Sequence, residues 1–119
     1  MKKNKGFTLI ELLAVIVILA IILAIAVPRV INVIAGARTD SFRASVDMLA
    51  SGLKNAVVSG DITADGNCVS TPITGVRYTV ADYATCTYTV NTSTYAVTVT
   101  ATGAASGKFG TQSSYTASR

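Results

Sequence analysis

An α+β fold is the architecture this sequence predicts: one long N-terminal helix whose second half packs on a small antiparallel sheet. Three observations lead there. From Leu12 to Val27 every residue is apolar. Further on, Phe42, Val46, Leu49, Leu53 and Val57 recur at spacings of 4, 3, 4 and 4, which is one face of a helix. Beyond Gly60 the chain turns to Thr, Ser, Ala, Val and Tyr, with apolar and polar residues alternating in three short segments. The 119 residues allow one domain plus its ends.

Half the residues are hydrophobic and 13% are charged. The apolar excess sits between Phe7 and Val58 rather than across the whole chain. The net charge of +4 is also local. Lys2, Lys3 and Lys5 precede the apolar run, and without them seven basic residues face six acidic ones. The basic balance therefore belongs to the first six residues, which the positive-inside rule keeps cytoplasmic. It gives no direct support for a nucleic-acid partner.

Phe7 to Val27 spans 21 residues, about 31 Å as a helix at 1.5 Å per residue. That crosses the hydrocarbon core of a bilayer. Three ordinary readings compete for it. A secretory signal peptide has a shorter apolar core followed by a small-residue cleavage site, and the run here is longer. A buried core helix is disfavoured by the uninterrupted length. A plain single-pass anchor does not account for Glu11, since a carboxylate near a helix centre costs about 2.5–3.5 kcal/mol on the insertion scale. An ionisable residue in an apolar span points to function and wants a positive partner.

Lys5-Gly6-Phe7-Thr8-Leu9-Ile10-Glu11 resembles the processing motif of type IV prepilins and pseudopilins. The resemblance covers roughly residues 1–58. It implies that a membrane peptidase cuts between Gly6 and Phe7 and methylates the new N-terminus at Phe7. It also implies a pilin fold, with Glu11 and Pro28 at positions the family uses in assembly. The methylated amine of Phe7 stays protonated near neutral pH and becomes the partner Glu11 lacks. Positions i and i+4 share a helix face, so the pair is available within one chain, and in the family it forms between neighbouring subunits. A buried charge is expensive alone and tolerable when paired.

Pro28 removes one backbone donor and crowds the Ala24 carbonyl, so a kink or local melting is expected around Leu23–Val27. Ala20 and Ala24 stand where many pilins carry a glycine. Gly36 is a second soft point. Past it, the Phe42–Val57 stripe is expected on the chain's own sheet, Arg43 and Asp47 are expected to pair weakly, and Gly60 is expected to cap the helix in a left-handed conformation. The expected organisation is a leader at 1–6, an apolar membrane and filament-core helix at 7–35, and a globular head at 36–119.

In the head, Ile62 to Thr74 reads as a connecting loop. Val76–Val80, Cys86–Val90 and Tyr95–Ala101 each alternate as half-buried strands, the last two joined by a turn at Asn91-Thr92-Ser93. Residues 102–119 supply either an edge strand around Lys108, Phe109 and Tyr115 or a disordered tail. One span with the N-terminus inside places Cys68 and Cys86 outside, where a disulfide is permitted. Such a bridge contributes roughly 3 kcal/mol on the chain-entropy account. The alternative is two unrelated buried thiols.

There is no histidine, the commonest general base and metal ligand, and no nucleophile motif. The chain therefore reads as no enzyme, with no catalytic residue, no cofactor and no metal site. Asp61 and Asp65 flank a loop without a calcium-loop pattern and read as solvated turn residues. The function implied is structural: a subunit held in the cytoplasmic membrane as a single-pass precursor, then polymerised into an extracellular filament. Its partners are other copies, the prepilin peptidase and methyltransferase, a membrane assembly platform and, before assembly, lipid. The alternatives are a pseudopilin of a type II secretion or competence DNA-uptake system and a membrane-anchored binding protein that never polymerises.

Overall fold

The computed structural model describes Gly6 and residues 8–119. The described residues form helix α1 (Leu9–Ser59) and strands β1 (Gly66–Asn67), β2 (Tyr83–Asn91), β3 (Ala96–Gly103) and β4 (Gln112–Ser118), with a 3₁₀ turn at Val80–Asp82. It divides into two compact units, one ending at Ala35 and the other running from Gly36 to Arg119.

In the first unit the helix has no covering partner among the described residues. Every large apolar side chain from Leu9 to Ile34 keeps at least 48% of its surface accessible. Pro28 lies inside the helix, and residues 23–27 remain helical. The expected local melting is therefore absent. Proline withdraws its own donor and crowds one carbonyl, and the helical ladder continues on either side of it.

The second unit is built around the amphipathic stripe. Phe42, Val46, Leu49, Leu53 and Val57 are all buried, together with Ala50 and Ala56 between them. They share one core with Val97, Val99 and Ala101 of β3, Tyr88 of β2 and Ala117 of β4. Phe42 sits at its centre, with ring centroids 5.7 Å from Phe109 and 6.0 Å from Tyr83. The helix stops in a Schellman arrangement. Gly60 adopts φ +86°, its amide donates to the Val57 carbonyl, and the Asp61 amide donates to that of Ala56. These bonds satisfy carbonyls that the helix end leaves open.

The sheet is antiparallel with strand order β1-β2-β3-β4. Its inward face is apolar and its outward face is hydroxyl-rich, as strand periodicity requires. Outward hydroxyls pair across strands, Thr85 with Thr102 at 2.7 Å and Thr100 with Thr116 at 3.0 Å. The β2–β3 hairpin closes with Asn91 opposite Ala96. The Asn91 carboxamide oxygen accepts from the amides of Ser93 and Thr94, the self-bonding that suits Asn to turns.

Two expected strand segments take other forms. Val76–Val80 is not a strand. Its alternation instead places Val76 against Gly52 of the helix and lets the Tyr78 hydroxyl donate to the Cys68 carbonyl at 2.6 Å while accepting from the Ile73 amide at 3.0 Å. Those bonds satisfy loop backbone that no strand reaches. Tyr95 lies in the turn at φ +60° rather than in β3. At the C-terminus the edge strand forms as β4, and Phe109 lies before it as a buried core residue.

Candidate assembly surface

Helix α1 starts with reciprocal bonds. The Glu11 amide donates to the Thr8 hydroxyl at 3.1 Å, and the Thr8 amide donates to Glu11 Oε2 at 3.3 Å. This is a capping box, which satisfies two donors that a helix N-terminus leaves open. A carboxylate in the first turn also faces the positive end of the helix dipole. The signal for it in the sequence is the Thr8-x-x-Glu11 spacing. Glu11 Oε1 has no partner among the described residues.

Gly6 is exposed, with open space where a Cβ would project. The processing and methylation expected at Phe7 lie outside the described residues. The helix that begins at Leu9 is long and apolar enough to cross a membrane by length and composition, and its most apolar stretch is not buried among the described residues. Pro28 and Arg29 follow the uniformly apolar run; Arg29 is exposed and makes no hydrogen bond or ion pair among the described residues.

The head holds the remaining candidates. Cys68 and Cys86 form a disulfide with their Cα atoms 5.2 Å apart. The Cys68 amide also donates to the Cys86 carbonyl at 2.9 Å, so the bridge fastens the turn after β1 to an interior strand. Asp61 Oδ2 accepts from the Ser59 hydroxyl, and Asp65 Oδ1 accepts from the Val90 amide at 2.8 Å. Asp61 serves the turn at the helix end, and Asp65 ties the loop before β1 to β2.

Asp47 does not take Arg43 as its partner. Its Oδ1 accepts from the Tyr115 hydroxyl at 3.1 Å and lies 3.7 Å from the Arg119 guanidinium, while Arg43 sits over the Tyr115 ring. The tail of β4 competes successfully for the carboxylate because it brings both a hydroxyl and a cation. The hydrogen bond to Asp47 holds the Tyr115 hydroxyl above its ordinary range. Burial does the same for Tyr83, whose hydroxyl bonds Ser45, and for Tyr78.

The profile described as the prokaryotic N-terminal methylation motif matches residues 1–27. A curated relative, the type IV narrow pilus major component PilA5 of Thermus thermophilus, is 42% identical over 64 residues, 54% of this chain and 52% of the relative. In these two matches the chain is similar to type IV pilins. The chain spans about half the length of that curated relative. No solved structure matches the chain. The long N-terminal helix and four-stranded antiparallel sheet agree with the pilin fold implied by the leader motif.

Proposed function

We propose that the chain is a structural subunit that polymerises into a type IV pilus or a closely related surface filament. The observation that carries this reading is the apolar first half of α1, every large side chain of which is left at least 48% accessible. Covering such a side chain contributes about 1.5–3 kcal/mol relative to water, and the chain itself offers no cover. Lipid supplies it before assembly and other copies supply it afterwards. The N-terminal methylation motif and a relative named as a major pilus component support the same reading.

The proposed sequence of events begins with residues 1–6 on the cytoplasmic side and residues 7–35 in the membrane. A prepilin peptidase cuts between Gly6 and Phe7 and methylates Phe7. The head, residues 36–119, lies outside, where its disulfide is stable. A membrane platform then moves the subunit into the filament. Glu11 pairs with the methylated amine of a neighbour, which makes docking favourable only where a cation meets the carboxylate.

The capping box gives Glu11 a second role, and two substitutions separate the roles. Glu11→Gln keeps a side chain able to complete the box but removes the charge; Glu11→Val removes both. Each variant is expected to insert and be cleaved like the wild type, and each is expected to lower sheared filament yield by about tenfold or more. Wild-type yield from Glu11→Gln would reduce Glu11 to a helix cap and remove the charge from the assembly step.

A further inference from the structure

Between Thr8 and Ala37 only Glu11 and Arg29 carry ionisable side chains. Their positions differ by 18, which is five turns of an α-helix and about 27 Å along its axis. The helix is continuous across that interval, so both lie on one face. Val15, Ile18, Ile22 and Ile25 fill the face between them, and all four are exposed. The ridge therefore has a negative end, an apolar middle and a positive end, and both charged ends have bonding capacity unused within the described residues.

We infer that Arg29 is the second assembly cation of this chain, and that it receives Glu11 from another copy displaced by about 27 Å along the helix axis. This rests on the filament reading given above. The occupant is fixed by charge complementarity. Copies inserted in one membrane point the same way, so antiparallel pairing is closed to them. Two parallel copies in register set Glu11 beside Glu11 and Arg29 beside Arg29, which like-charge repulsion disfavours. A shift of five turns sets Glu11 of one copy against Arg29 of the next while keeping apolar residues against apolar residues.

The shift has a further consequence. A bilayer holds all copies at one depth, so the pair is unavailable while both remain inserted. It forms only as one copy rises about 27 Å relative to its neighbour. The contact uses different patches on the two partners, and such heterologous contacts propagate into open filaments when they do not close. The ion pair thus sets the axial register between those two copies.

The test compares full-length wild type with Arg29→Glu, Glu11→Arg and the double exchange in a host carrying the assembly machinery. Each single variant is expected to lower sheared filament yield by about tenfold or more, and the double exchange is expected to exceed Glu11→Arg while staying below wild type, because Arg at position 11 restores the contact with position 29 but not the one with the Phe7 amine. Membrane level and cleavage after Gly6 are followed in parallel. Wild-type yield from cleaved Arg29→Glu, or a double exchange no better than its worse parent when all variants are cleaved, overturns the pair. Should Glu11→Arg fail to be processed, Arg29→Lys filaments treated with a carbodiimide replace it. A peptide joining Glu11 of one chain to position 29 of another supports the pair; its absence where other carboxylate–amine links form overturns it. Failure of the wild type to be cleaved or to form filaments would instead defeat the filament reading itself.

Discussion

Tyr83 shows how one side chain ties the head's helix to its sheet. It is nearly inaccessible, its ring packs against Phe42, Phe109 and Tyr78, and its hydroxyl bonds Ser45. Burial raises its pKa above the ordinary value of 10.0; the Ser45 bond opposes that shift and the neighbouring Asp82 carboxylate adds to it. A raised folded-state value means that the native head holds the proton more tightly than the unfolded chain. The associated stability is fully present below pH 10.0 and is lost as pH rises through the folded value. Tyr78, raised mainly by burial, acts in the same direction. Thermal unfolding of the purified full-length chain in detergent is therefore expected to change little on account of these tyrosines through neutral pH. It is expected to fall above pH 10.0, and Tyr83→Phe should shrink that alkaline loss. An unchanged alkaline slope in Tyr83→Phe would assign the loss to other groups.

Among the elements, β1 depends most on covalent help. It has two residues and pairs only through Gly66 with Tyr88 and Asn67 with Thr87. The Cys68–Cys86 bridge directly beside it spans a sequence separation of 18. Replacing both cysteines by serine is expected to lower the stability of the head by roughly 3 kcal/mol, read as a lower Tm in non-reducing detergent solution. A Tm equal to that of the wild type would show that the loop is held without the bridge.

The helix stripe, the β2–β3 hairpin and the left-handed Gly60 cap were legible in the sequence because each follows a local period or a turn chemistry. Val76–Val80 was not, since alternation shows two faces but cannot show whether a partner strand exists. Tyr95 was misplaced by one turn position because its β-propensity outweighed the four-residue loop geometry. The partners of Asp47 were hidden for a different reason: Tyr115 and Arg119 lie far along the chain and meet it only once β4 pairs with β3. At the helix start, Glu11 is legible as an anomaly in an apolar span, and the Thr8-x-x-Glu11 spacing carries its capping bond as well. The coincidence of Glu11 and Arg29 on one face emerges only once the helix is seen to run unbroken through Pro28.

At the scale of the whole molecule the two units face opposite problems. The head closes a core from its own residues, joining the helix stripe, the sheet and Phe109. The first unit leaves a surface of Leu, Ile and Val uncovered among the described residues, which a bilayer or a polymer would cover on the proposed reading. The central claim is that this surface passes from the first to the second after processing at Gly6. Intact and N-terminal mass spectrometry on protein from sheared cell-surface material tests it most directly. The expected species begins at N-methylated Phe7 and is lighter by the hydrogens of one disulfide. A chain still beginning at Met1 or Lys2, recovered only from the membrane fraction, would contradict the account and favour an anchored protein that does not polymerise.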